Sequence, residues 1–382
     1  MSALGQSLAG RRVAVCVGAG GVGKTSLAAA LALARALAGG KALVCTIDPA
    51  RRLANALGLT ALGNAESRVP AARLAQAGLA PPGQLFAMML DVKRTWDDLI
   101  VRHAPDPARR DRILRNRLYQ QMSAALAGSQ EYMAMEKLHE LAEDRDYDLI
   151  VLDTPPTAHA LDFLDAPTRI LDFLGSDAAR VLLAPAVGVG RLGLRLAQLS
   201  GGYAARALAR FTGQQALSDL GEFLQSFQGM YDGFKARAAA VRALLARPEA
   251  GFVLVTSSSP AAVAETLAFH GRLRAEAMPL AGLVVNRLTP DLWPYPSPLP
   301  GAAELLPPLA QAATSGGGPG TSRAALAERL AAALAEHQAL VWAERSALAP
   351  LLEEVRVPCA MVPRLEGEVH DLAGLATLAA AL

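Results

Sequence analysis

Thiols are scarce in this chain. Cys16, Cys45 and Cys359 are its only three cysteines in 382 residues, and no two form a CxxC pair. That argues against a disulfide framework and suits a reducing compartment. An excess of either charge is also lacking: 37 basic against 35 acidic residues leave a formal net charge of +2, which gives no basis for a nucleic-acid surface. No apolar run of about 18 residues escapes interruption by a charge, Gly or Pro, so no membrane span is expected. Arg11 and Arg12 precede only a short apolar strand, not the long apolar core of a signal peptide. The six histidines stand apart, without metal-ligand spacing, and no internal repeat is visible. These absences predict a soluble, cytoplasmic protein. Its length predicts one large domain with an elaboration, or two domains.

What is present is a strand, a glycine-rich loop and a helix start in immediate succession. Val13 to Val17 is apolar and mostly β-branched, and Gly18 to Thr25 has Gly18, Gly23, Lys24 and Thr25 at the spacing of a phosphate loop. Glycines let successive N–H groups turn inward, and the following helix adds the positive end of its dipole. Gly20, Gly21, Val22, Gly23, Lys24, Thr25 and Ser26 are therefore the expected phosphate-binding residues. Lys24 would reach the β- and γ-phosphates, and the Thr25 hydroxyl would bind Mg²⁺.

Short apolar runs alternate with longer helical patterns, which predicts an α/β fold: a mostly parallel sheet flanked by helices. Strands are expected at 12–17, 42–47, 85–90, 147–152, 252–256, 280–285 and 355–362. Two helical stretches, 92–146 and 161–247, are too long for ordinary crossovers and are expected to pack together as an inserted helical subdomain. The Pro/Gly-rich stretch 288–322 reads as an extended loop. A helix then follows, with Ser322 as its N-cap and Leu326, Leu330, Leu334 and Val341 along one face.

Two aspartates leave strands beside the phosphate loop. Asp48, in Asp48-Pro49-Ala50-Arg51-Arg52, either orients the water that attacks the γ-phosphate or caps the helix that Pro49 begins. Asp153 ends the run Leu149-Ile150-Val151-Leu152, a Walker-B-like position from which a carboxylate reaches Mg²⁺ through a water. Pro155 and Pro156 preclude a regular helix directly after it.

The segments Gly20-Gly21-Val22-Gly23-Lys24-Thr25, Asp48-Pro49-Ala50 and Asp153-Thr154-Pro155-Pro156-Thr157-Ala158-His159 together resemble the arsenite-pump ATPase (ArsA) family. That family belongs to the deviant Walker A P-loop ATPases and includes the ATPases that guide tail-anchored proteins to membranes. Gly128-Ser129-Gln130-Glu131 is similar to the family's GxxE segment. Val284-Val285-Asn286-Arg287 is similar to its adenine-binding strand end, and Val362-Pro363-Arg364-Leu365 to the loop that closes over the adenine. The resemblance implies ATP and Mg²⁺ as cofactors and Asp48 as the residue positioning the attacking water. It also implies a dimer, with itself or a paralogous ATPase, that opens and closes around a hydrophobic or membrane-protein client. Asn286-Arg287-Leu288-Thr289 lacks the NKxD run that reads guanine, so ATP is expected rather than GTP.

Three departures qualify the resemblance. Ala19 stands where the family usually has a lysine that reaches across the dimer, which implies slow turnover, a partner that supplies the charge, or a nucleotide-binding scaffold. Arg51 and Arg52 are alternative local cations or simply a solvated helix face. The three cysteines read as buried small hydrophobes, so an arsenite site and a CxxC zinc clamp are both missing. A client groove has weak support, because Met122, Met133, Met135 and Met230 are few, and Met133 and Met135 read as core. His159 is either a γ-phosphate sensor or a loop-packing residue. A membrane-positioning ATPase of the MinD type would need a basic amphipathic C-terminal helix, and 371–382 contains no Lys or Arg.

Overall fold

Strands that are apolar at every position can be buried on both faces, and the middle of this molecule is built from them. The computed structural model describes residues 2–47, 52–117, 119–120, 123, 129–154, 231–293, 297–312 and 322–382. In chain order its first elements are α1 (Ala3–Leu8), β1 (Val13–Val17), α2 (Lys24–Leu37), β2 (Lys41–Thr46), α3 (Arg52–Ala56), β3 (Ser67–Arg68), α4 (Ala71–Gln76) and β4 (Gln84–Met89). There follow α5 (Val92–His103), α6 (Pro107–Arg115), α7 (Ser129–Asp144), β5 (Leu149–Asp153), α8 (Tyr231–Ala246), β6 (Ala250–Thr256) and α9 (Pro260–Ala275). The last are β7 (Leu280–Leu288), α10 (Ala302–Ala312), α11 (Arg323–Glu354), β8 (Cys359–Pro363) and α12 (Leu372–Ala381).

The eight strands form one sheet in the order β3-β4-β2-β5-β1-β6-β7-β8. Every pairing is parallel except the short β3 edge, which is antiparallel to β4. Alternation along β1 divides the core in two. Val13, Val15 and Val17 join α5, α7, α8, α9 and α11 on one face, while Ala14 and Cys16 join α2 and α12 on the other. The buried side of α2 is largely alanine (Ala28, Ala29, Ala30, Ala32, Ala36), so the helix axis can lie close to the sheet. Its N-terminus is thereby fixed above the carboxyl end of β1, where ligands gather in parallel sheets.

All seven expected strands are present, in a mostly parallel sheet. The stretch 92–146 contains α5, α6 and α7, with Asp91 and Asp106 capping the first two by accepting Arg94 N–H at 2.9 Å and Arg109 N–H at 2.8 Å. Of 161–247 only α8 and its flanks are described; the rest lies outside the described residues, as do Asp48, Arg51, Met122, Gly128, His159 and Met230. Two elements differ from expectation. Within 288–322, Ala302–Ala312 is a helix despite Pro307 and Pro308; Gly301 N–H donates to the Glu304 carboxylate at 3.0 Å at its start, and the helix packs on α11. The apolar face expected on α11 is not uniformly covered: Val341 is buried, but Leu326 and Leu330 are more than two-fifths exposed. Met133 and Met135 are core residues, packed with Tyr132 and Leu138. Among the described residues no helix is long and apolar enough to cross a membrane.

Candidate nucleotide-binding site

The loop after β1 is shaped by glycines whose neighbours leave no room for a β-carbon. At Gly18 a Cβ would fall 1.9 Å from the Val255 carbonyl oxygen, so the chain passes the end of β6 only as glycine. Gly23 has φ +93°, and a Cβ there would meet Asn286 Nδ2 at 2.5 Å. Gly23 is also the N-cap of α2 and offers no side-chain acceptor to the first turn of the helix. Amides in that position are the donors that helix N-termini present to anions. Lys24, only 6 % exposed, folds back over the loop and donates to the carbonyl oxygens of Gly18 and Ala19, both at 2.8 Å. Thr25 and Ser26 follow in the first helical turn, partly buried.

Asp153 ends β5, the neighbour of β1 on one side. Register sets it opposite Cys16 of β1 and Thr46 of β2. It is 1 % exposed, and its Oδ2 accepts the Thr46 hydroxyl at 2.7 Å. Thr154 then donates its hydroxyl to the Cys16 carbonyl at 2.8 Å, tying the start of the next loop to β1. Burial, with Asp153 nearby, pushes the Cys16 thiol far up; burial likewise raises Cys45 to about 12. Both thiols are protonated at neutral pH and behave as core residues rather than thiolate ligands. Cys359 differs from expectation in being only partly buried, because β8 is an edge strand. Among the described residues no cluster of three or more His, Cys, Asp or Glu side chains is arranged to hold a metal ion.

The other side of the loop is closed by β7 and β8. Asn286 is buried, and its Nδ2 donates to the Val22 carbonyl at 2.8 Å while its Oδ1 accepts Arg287 N–H at 2.9 Å. Leu288 pairs with Pro363, and Arg364 N–H donates to the Leu288 carbonyl at 2.7 Å, so the ends of both strands form one shelf. A cleft of about 460 Å³ opens beside the loop, lined among others by Ala19, Gly21, Ser258, Glu265, Arg287 and Arg364.

Gly20, Gly21, Val22 and Arg364 thus line this cleft, Asn286 and Pro363 sit near the ends of the strands beside it, and Asp153 lies on the other flank of β1. Four residues at this site were not singled out from the sequence. Thr46 holds Asp153, Arg287 donates to Gly21, and Glu265 lines the cleft. Gln130 of α7 donates to the Ile47 carbonyl at 3.2 Å, one residue before Asp48. Gln130 and Arg287 lie in segments quoted above for their resemblance, though neither is given a role there; Thr46 and Glu265 lie in none.

The family model for anion-transporting ATPases matches residues 11–189. The chain is 27% identical over 282 residues to the ATPase GET3C of Arabidopsis thaliana, which covers 72% of this chain and 66% of that protein. It is 33% identical over 157 residues to the protein Rv2184c of Mycobacterium tuberculosis, covering 41% and 37% respectively. Over 185 residues it is 30% identical to a putative arsenical pump-driving ATPase of Halobacterium salinarum, covering 45% and 26%. The chain spans two thirds or less of the length of these relatives.

Proposed function

Because this chain belongs to the ArsA-like family of ATPases, matched by its family model over residues 11–189, we propose that it is a Mg²⁺-dependent ATP hydrolase that works as a dimer. The observation that carries the reading is Lys24, a buried ammonium held by two carbonyl oxygens of its own loop. A phosphate chain entering the loop would exchange those two neutral acceptors for charged ones, and charge-assisted hydrogen bonds are roughly twice as strong as neutral ones. The amides of Gly20 to Ser26 would cradle the phosphates, and Asn286 with Pro363 and Arg364 would hold the adenine. The oxygen donors Thr25 and Asp153 suit Mg²⁺, a hard cation that keeps several waters, and Asp153 would act through one of them. The ion would neutralise charge on the β- and γ-phosphates. Asp48 would position the attacking water.

The proposed cycle opens and closes the dimer around a helical subdomain built from 92–146 and 161–247, handling a hydrophobic or membrane-protein client. The absence of the family's trans-acting lysine at Ala19 favours a second reading: a slow nucleotide-binding subunit assembled with a paralogous ATPase. Phosphate release measured with Mg·ATP, alone and with candidate paralogues, separates the two. The hydrolase reading expects release that Lys24→Ala abolishes and that Asp48→Asn stops without loss of ATP binding. Release independent of Lys24, or none under either condition, would remove it.

A further inference from the structure

Arg287 has left-handed backbone, φ +62°, one of two such non-glycine residues among those described. Backbone strain of this kind persists where the surroundings demand it, and here its consequence is visible. Successive side chains of a strand point to opposite faces. The reversal at Arg287 lets two consecutive side chains reach the same loop: Asn286 Nδ2 donates to Val22 O and Arg287 Nη1 donates to Gly21 O, each at 2.8 Å. A trans peptide is planar, so the N–H following each carbonyl points the opposite way. Holding the oxygens of Gly21 and Val22 outward therefore turns the N–H groups of Val22 and Gly23 into the loop. The Arg287 bond is charge-assisted and exposed, whereas the Asn286 bond is neutral and buried.

We propose that Arg287 is a positioning residue for the phosphate nest: from outside the loop it fixes the peptide plane whose N–H faces the phosphates. It also places a permanent positive charge at a loop where Ala19 carries none. The proposal rests on the reading of 18–25 as a nucleotide site and goes beyond it in assigning a role to a residue outside the loop. Its action is on the phosphates, whatever base they carry.

The test compares Mg·ATP with magnesium tripolyphosphate, which has the phosphates and no base, by titration calorimetry on the full chain. Arg287→Asn accepts left-handed backbone readily and removes the guanidinium; Arg287→Gly does the same if the asparagine variant folds poorly. The expected result is an affinity loss of about tenfold for both ligands alike. The ligand-free thermal midpoint should be no lower than the parent's, and Arg287→Lys should fall between the two, because it keeps the charge without the fork. Unchanged tripolyphosphate affinity overturns the proposal, and so does a loss confined to ATP. The parent and Lys24→Ala are run alongside. Lys24-dependent binding in the parent together with an unaffected Arg287→Asn defeats this inference alone, whereas a parent that binds neither ligand defeats the nucleotide reading and this inference with it.

Discussion

A β-carbon at Gly23 would violate two constraints at once, the positive φ and the 2.5 Å approach of the Asn286 amide. Gly23→Ala is expected to cost roughly 2–3 kcal/mol, from left-handed strain and a displaced strut, and to weaken ATP binding. Chemical denaturation and calorimetry read the two effects. Thr46→Val removes the hydroxyl on Asp153 Oδ2, worth about 1–3 kcal/mol where a buried acceptor loses a partner. It should raise the Mg²⁺ concentration needed for half-maximal phosphate release, and Thr46→Ser should restore it. A Thr46→Val protein with the parent's Mg²⁺ dependence would show that Asp153 needs no orienting hydroxyl. These two residues also mark what was legible. The loop glycines and Lys24 could be read because backbone geometry within eight positions demands them. Thr46 and Arg287 could not, since their partners lie 107 and 266 residues away and meet them only once the strand order is known.

Between elements, the clearest dependence is the junction of α7 with α8. Arg237 Nε lies 2.9 Å from Glu136 Oε1, with the two side chains 15 % and 8 % exposed. Burial pushes the Glu136 carboxyl up, and Arg237 opposes that shift. Arg237→Met leaves the carboxylate without its counter-ion and is expected to cost about 3–5 kcal/mol. Adding Glu136→Gln should recover much of that, and a double variant no more stable than the single one would mean the cost does not come from the unpaired carboxylate. On α9, burial lowers the His270 pKa; Glu354 opposes the shift and Arg274 adds to it. A depressed histidine binds its proton less readily folded than unfolded. Stability is therefore complete above the unfolded pKa of about 6.5 and declines as pH falls below it. The drop in thermal midpoint between pH 7.5 and 5.5 should shrink in His270→Gln. At this scale the sequence was most readable where period and burial agreed, as in the seven strands. It was least readable at α10, where prolines signal a break but packing on α11 sustains a helix, and at β3, whose two residues are too few to show a period.

For the molecule as a whole, the strand order sets different side chains on the two flanks of one short loop. β5 brings Asp153 to one flank of β1, while β6, β7 and β8 bring Ser258, Asn286 and Arg364 to the other. A ligand held between those flanks binds only the folded chain, so Mg·ATP at a hundred times its dissociation constant should add about 2.7 kcal/mol to unfolding. Lys24→Ala should abolish that gain. Turnover is a separate matter, because the loop lacks a cation at position 19. A cation supplied in trans can be worth about 10³ to 10⁵ in rate. If turnover waits on such a charge, the chain alone should bind ATP tightly and release phosphate slowly. Release should then accelerate by orders of magnitude when a paralogous subunit bearing the lysine is added, in step with the appearance of a heterodimer by mass measurement. Replacing that partner lysine by alanine should return the rate to that of the chain alone. Fast release by the isolated chain would mean instead that it supplies the charge itself, and Arg287→Asn and Arg364→Ala, whose parent side chains both line the cleft beside Ala19, would then be the variants that locate it.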